Sequence, residues 1–183
     1  ALAIRQGLFG ELHPDVARTY FILSHFHGKE GNFELEKAYL EKVLAIYLKV
    51  ENDDNPELED AYNNLGVWYS RQGDYASAKE CYEKILERMH RNLSPDNYRF
   101  ADVYNNLGNV YQRMGEMNKS LRYIQKALTI NEKYYPESQK GAVNWANIGS
   151  VNMSLGNLPE AQKALEKAVE LDRALDLENS IGT

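Results

Sequence analysis

Apolar residues return at intervals of three and four along most of the chain, as they do on helices that bury one stripe. Tyr62, Leu65, Gly66 and Tyr69 stand at i, i+3, i+4 and i+7, which predicts a first helix. Gly73-Asp74 interrupts the pattern. Ala78, Tyr82, Ile85 and Met89 then resume the spacing and predict a second helix. The pair recurs. Tyr62-Asn63-Asn64-Leu65-Gly66 returns 42 positions later as Tyr104-Asn105-Asn106-Leu107-Gly108, and after a further 41 as Trp145-Ala146-Asn147-Ile148-Gly149. Counting back 42 gives a degenerate copy, Tyr20-Phe21-Ile22-Leu23-Ser24. The breaks keep step at Gly31-Asn32-Phe33, Gly73-Asp74-Tyr75, Gly115-Glu116-Met117 and Gly156-Asn157-Leu158. Two independent landmarks with one period establish an internal repeat.

A helix pair of this kind cannot cover its own apolar face and must stack on the next pair. The expectation is an all-α fold, a right-handed α-solenoid of tandem helix-turn-helix repeats. Four repeats fit, at residues 13–54 (degenerate), 55–96, 97–137 and 138–178. Ala1-Leu2-Ala3-Ile4 matches Ala127-Leu128-Thr129-Ile130, three periods on, so residues 1–12 read as the end of a second helix from a truncated upstream repeat. Residues 179–183, with Ser180-Ile181-Gly182-Thr183, read as the start of a truncated next repeat. His13-Pro14 and Asn55-Pro56 read as N-caps followed by proline at the first helical position. Glycine inside a helix costs about 1 kcal/mol against alanine; Gly66, Gly108 and Gly149 are accounted for if the paired helix approaches closely. Leu2, Ile4 and Leu8 at one end, and Leu165, Ala168 and Leu171 at the other, are expected to lack a covering helix. End-to-end self-association follows as an expectation.

An aromatic residue, then Leu-Gly, then Tyr, with Ala78 or Ala161 in the second helix, resembles the tetratricopeptide repeat, and the resemblance spans essentially the whole chain. The usual unit has 34 residues. The 42-residue form, with His13-Pro14-Asp15-Val16-Ala17, resembles the kinesin light chain and nephrocystin arrays, and bacterial regulatory proteins carry similar ones. Ser24 stands in place of the family glycine, His27 and Asn152 in place of tyrosine, and Glu36 in place of a small residue. The resemblance implies a protein-interaction scaffold.

Composition narrows the function. Hydrophobic residues make up 43% and charged ones 26%, a globular balance that argues against disorder. Apolar runs are far shorter than the ~20 residues that cross a bilayer, so no membrane insertion is expected. Cys81 is the only cysteine, which excludes an internal disulfide framework and fits a reducing, cytoplasmic setting. A net charge of −6 without a basic block argues against nucleic acid. No phosphate loop, catalytic carboxylate pair or nucleophile–base arrangement is present, so no catalytic residue, cofactor or metal is assigned. His25 and His27, two apart, face different sides of a helix and cannot chelate together. His27 and Trp145 occupy core slots, Trp68 lies at the core's edge, and Cys81 has no cation to activate it.

The candidate binding residues come from the first helices. With about 100° per residue, Tyr104, Leu107, Gly108 and Tyr111 point to the core. Asn105, Asn106, Asn109 and Gln112 point largely away, as do Asn63, Asn64 and Asn147 in sister repeats. Asparagine is a mediocre helix former, and a carboxamide has donors and an acceptor suited to a peptide backbone. The resemblance implies the same, since asparagines at matching places grip peptides in related proteins. The alternative is that Asn64, Asn106 and Asn147 bond across repeats and only hold them together. Lys29, Arg71 and Arg113 form a second row that would receive acidic groups. The alternative there is the helix dipole, because each lies in a last turn. The chaperone-tail carboxylate clamp of some relatives needs a lysine where this chain has Phe21, Asn63, Asn105 and Ala146. The reading is therefore an adaptor-like scaffold that binds a protein, peptide or partner helix in a concave groove. Two alternatives stay open: a regulatory region of a larger enzyme or transcription regulator, and an architectural spacer or oligomerisation arm.

Overall fold

Among the residues described by the computed structural model, 2–50 and 56–181 (side chains to 176), there are nine helices and no strand. They are α1 (Leu2–Phe9), α2 (Pro14–Lys29), α3 (Phe33–Lys49), α4 (Pro56–Arg71), α5 (Tyr75–Asn92), α6 (Phe100–Arg113), α7 (Met117–Tyr134), α8 (Gln139–Leu155) and α9 (Leu158–Ile181). The all-α repeat architecture expected from the period is the one observed. The breaks are made by Gly31, Gly73, Gly115 and Gly156, each with φ between +75° and +80°, a left-handed conformation that strains any side chain. His13 caps α2: its backbone is extended, and its Nδ1 accepts from the Asp15 amide at 3.1 Å ahead of Pro14. Asn55, read as the corresponding cap of α4, lies outside the described residues, as do Ala1, Gly182 and Thr183.

The chain divides into two compact units, Ala1–Arg88 and Met89–Thr183. In the first, α2 packs on α3 and α3 on α4, around Val16, Leu40, Val43, Tyr62, Tyr82 and Ile85. Trp68 is buried and donates its indole N–H to the Phe33 carbonyl at 3.0 Å, tying α4 to α3. The departures of the first repeat are mutually compensating. Ser24 is buried and donates back to the Phe21 carbonyl at 2.7 Å. Glu36 takes the space above Gly28, one turn further along α2, where an added Cβ would lie 2.7 Å from its Oε1. The Glu36 charge, with only 13% of its side chain exposed, is met by Arg71 of α4 at 2.5 Å.

In the second unit, Ile124 and Leu128 of α7 meet Ile148 and Val151 of α8 and Ala164 of α9, with Met117, Leu121, Trp145 and Leu155 packed around them. Burying each large side chain contributes roughly 1.5–3 kcal/mol, so this interface between repeats, and not helix propensity, holds the unit together. One expectation about the far end is corrected. Ala168 is buried, as is its register mate Ala127 in the repeat before. The apolar residues that α9 and the end of α8 leave exposed are Met153, Leu158 and Val169. With Leu165 they line a groove of about 870 Å³. At the other end Ile4 and Leu8 are exposed as expected, and Phe26 with them. Phe26 shares a register with Trp68, Val110 and Val151, all buried.

Candidate functional site

The carboxamide row of the second unit is a hydrogen-bonded chain. The first-helix pattern repeats in α6 and α8, where Asn147 is the register mate of Asn106 and lies one position past the mate of Asn105, Ala146. Asn131 of α7 donates to Asn144 Oδ1 at 2.6 Å; Asn144 donates to Asn105 Oδ1 at 3.0 Å; Asn147 donates to the same oxygen at 3.0 Å. Gln112 donates to Ser150 Oγ at 2.9 Å, and Lys140 of α8 grips both carboxylate oxygens of Asp102 at 2.8 Å. Asn131 and Asn144 are almost wholly buried, whereas Asn105, Asn109, Gln112 and Asn147 are half-buried. The structure thus brings Asn105, Asn147 and Gln112 together on one α6/α8 face. Asn105 spends its oxygen on the repeat interface and keeps its amide group for other partners. Asn109 lies one turn along, with no partner among the described residues.

In the first unit Asn64 turns back on its own helix, donating to the Asp60 carbonyl at 2.7 Å. Asn63 and, in the second unit, Asn106 are also engaged within the fold. The basic row is not uniform. Arg71 is committed to Glu36 and stacks over Phe33; Lys29 and Arg113 are exposed, without a partner among the described residues. Ser154, which holds the same register in the fourth repeat, donates to the Ser150 carbonyl.

Two features escaped the reading of the first helices. Asn131 and Asn144 stand at places where sister repeats carry other residues, so no period announces them. The second is a set of lysines in the second helices. Lys42, Lys84 and Lys126 follow the same 42-residue step and place Nζ 5.1, 5.5 and 5.2 Å from the rings of Tyr20, Tyr62 and Tyr104, within cation–π range. Aligning the second helices on the first-helix period would have found it. Cys81 is buried, and burial pushes its thiol from an ordinary value near 9 to about 11; it is no nucleophile at neutral pH. Among the described residues no three His, Cys, Asp or Glu side chains gather to hold a metal, and no helix is long and apolar enough to cross a membrane.

The paired-helix repeat, its glycine breaks and its period coincide with a family model for the tetratricopeptide repeat, which matches residues 23–91 and 99–177. The chain belongs to the tetratricopeptide repeat family. Its fold is shared with nearly identical TPR-like repeats assigned to a kinesin light chain of Podosopora anserina. That structure is 18% identical, with a TM-score of 0.81, covering 96% of this chain and 83% of that one. BtubC (BKLC) from P. vanneervenii is 17% identical, with a TM-score of 0.64 over 89% of this chain and 82% of that one. MamA is 20% identical, with a TM-score of 0.69 over 96% and 87%. At these identities the likeness is one of fold. Comparison with curated protein sequences gives no match. Tetratricopeptide repeats generally mediate protein–protein interaction.

Proposed function

We propose that this chain is a peptide-binding scaffold whose α6/α8 face takes an extended segment or partner helix. The observation that carries the reading is the state of Asn105. Its oxygen is held by Asn144 and Asn147, which fixes the carboxamide plane, while its amide group stays available on a half-exposed surface. A donor fixed before the ligand arrives loses less entropy on binding. Asn109 and the Asn147 oxygen extend the same face. An adaptor built this way grips main chain through carboxamides and draws selectivity from the apolar side chains between repeats. The test uses an array of unphosphorylated 15-residue peptides. Asn109→Ala, which breaks no contact of the fold, is expected to lower affinity for the captured peptides by about tenfold, the worth of one or two hydrogen bonds, at unchanged melting temperature. Unaltered binding by a folded Asn109→Ala protein would refute the reading.

The exposed groove of Met153, Leu158, Leu165 and Val169 supports self-association as part of the same proposal. These residues are the register mates of Gln112, Met117, Ile124 and Leu128, and α8 covers the apolar three of that set. A second copy, with Ile4 and Leu8 exposed on α1, offers an apolar helix for the groove. Light scattering over a concentration series checks it: the apparent mass should rise with concentration and stay monomeric in Met153→Glu/Val169→Glu.

A further inference from the structure

On the second helix of the third repeat, Lys119, Arg122 and Lys126 stand at i, i+3 and i+7, and with Tyr111 and Tyr123 they line a cleft of about 230 Å³. The two rings stack at 5.4 Å, 9° from parallel. Tyr111 is buried and Tyr123 half-buried, so the floor is rigid. Lys119 Nζ lies 5.2 Å from the Tyr111 ring, and Lys126 Nζ lies 5.5 Å from the Tyr123 ring. The ammonium groups therefore flank the pair, with Arg122 between them in sequence. All three cations are exposed. Lys119 is paired with Glu116 at 2.5 Å, while no acid pairs with Arg122 or Lys126 among the described residues. In an acidic chain α7 is the most basic helix: it carries Lys119, Arg122, Lys126 and Lys133 against one acid, Glu132.

The cluster is not a by-product of the repeat. One period back, the places of Lys119, Arg122 and Tyr123 hold Ser77, Glu80 and Cys81; two periods back, Leu35, Ala38 and Tyr39; one period on, Glu160, Lys163 and Ala164. Only the Lys126 position keeps its charge throughout, as Lys42, Lys84 and Lys167. The periodic lysine belongs to packing on the first-helix aromatic residue. A cation at the Lys119 position is peculiar to this repeat, one at the Arg122 position returns only as Lys163, and packing calls for neither.

We propose that this cleft binds the phosphoryl group of a phosphorylated peptide. Three cations less the Glu116 carboxylate leave a local charge of about +2, which matches the −1.5 to −2 of a phosphomonoester at neutral pH. A guanidinium fork beside two ammonium groups supplies donors for its three oxygens. The half-exposed Tyr123 ring gives the attached side chain a surface to lie against. The cations are on α7 and Tyr111 is on α6, whereas the main-chain grip proposed above uses Asn105, Asn109 and Asn147 on α6 and α8, so the two proposals are tested by different residues.

The probes are N-acetyl-O-phosphotyrosine amide and N-acetyl-O-phosphoserine amide, titrated into the whole chain at constant ionic strength and followed by backbone amide NMR. Saturable shifts are expected at residues 119–126. Arg122→Gln/Lys126→Gln, both exposed and of similar volume, should weaken them at least tenfold with the melting temperature kept. Lys84→Ala and Lys167→Ala should leave them unchanged, and Glu116→Ala should strengthen them severalfold. Inorganic phosphate should bind more weakly than either amide. Absence of saturation, indifference to the double substitution, or inorganic phosphate binding as tightly as the amides would each overturn the proposal. So would binding to phosphatidylserine vesicles that depends on Arg122 and Lys126 without any response to the phosphoamides.

Discussion

Two glycines in the first unit make the close-approach argument quantitative. Gly66 sits on α4 where a Cβ would lie 2.8 Å from Cζ and 2.9 Å from Cε1 of Tyr82, and Tyr82 is 2% exposed. Ordinary contact begins near 3.4 Å, so the ring would have to withdraw by roughly 0.6 Å into a packed core. Overpacking of this kind costs about 1–3 kcal/mol, and a buried ring places it near the upper value. Alanine returns about 1 kcal/mol of helix propensity. Gly66→Ala should therefore destabilise by about 2 kcal/mol. Gly7, on α1, has nothing within 4 Å of the same virtual atom, so Gly7→Ala collects the propensity gain alone and should stabilise by up to about 1 kcal/mol.

The assay is urea unfolding followed by Trp68 fluorescence in a Trp145→Phe background. Trp68 lies two residues from Gly66 and is buried, so its emission reports the unit concerned. Tyr82→Leu supplies the internal control. Shortening the side chain opens the space, and Gly66→Ala in that background should cost at least 1 kcal/mol less than in the parent, a coupling expected of residues in contact. If Gly66→Ala stabilises as Gly7→Ala does, or if the coupling is absent, close helix approach is not the reason for the glycine.

Three further outcomes follow. Cys81 has a folded pKa raised by burial, so its contribution to stability is present below about pH 9 and is lost as pH rises toward 11. About 2–3 kcal/mol is at stake; unfolding midpoints across that window should fall in the parent and fall less in Cys81→Ala. Arg71→Ala strands the largely buried Glu36 and should destabilise by about 1–3 kcal/mol, while Glu36→Ala/Arg71→Ala should recover part of that loss; additive costs in the double-mutant cycle would refute the pairing. Asn105→Ala should cost about 1–3 kcal/mol by leaving the buried Asn144 amide unpaired, where an asparagine that served binding alone would leave the melting temperature unchanged.

The fold was legible because the period is redundant. The Tyr-x-x-Leu-Gly stripe and the glycine breaks each give it independently, and a left-handed glycine or a close helix contact tolerates few substitutes. The face opposite the core was less legible. A helical wheel places Asn105 on the outward side but cannot say what stands opposite it on the next repeat. Its partners Asn144 and Asn147 are 39 and 42 residues away, and Asn144 has no counterpart in sister repeats to mark it. Arg71 shows the same limit. Its last-turn position satisfies the dipole argument, yet its commitment to Glu36 depends on Gly28 having vacated space on a third helix.

Register itself then separates fold from function in this chain. A residue that recurs at one step answers to the packing that recurs with it: Lys42, Lys84 and Lys126 lie over Tyr20, Tyr62 and Tyr104 in three repeats. A residue that breaks register has two origins. It compensates a neighbouring departure, as Gly28, Glu36 and Arg71 do for one another, or it serves something outside the fold. Arg122 and Lys119 compensate nothing: their side chains are exposed, their sister positions hold Glu80, Lys163, Ser77 and Glu160, and the core beneath them is the same Ile124 and Ala127 stripe that packs without them. Three like charges on one helix face repel one another, and on α7 a single acid, Glu132, offsets them within the helix. In a solenoid whose other second helices mix both signs, that concentration of charge is the feature most in need of a ligand, and dianion binding relieves it.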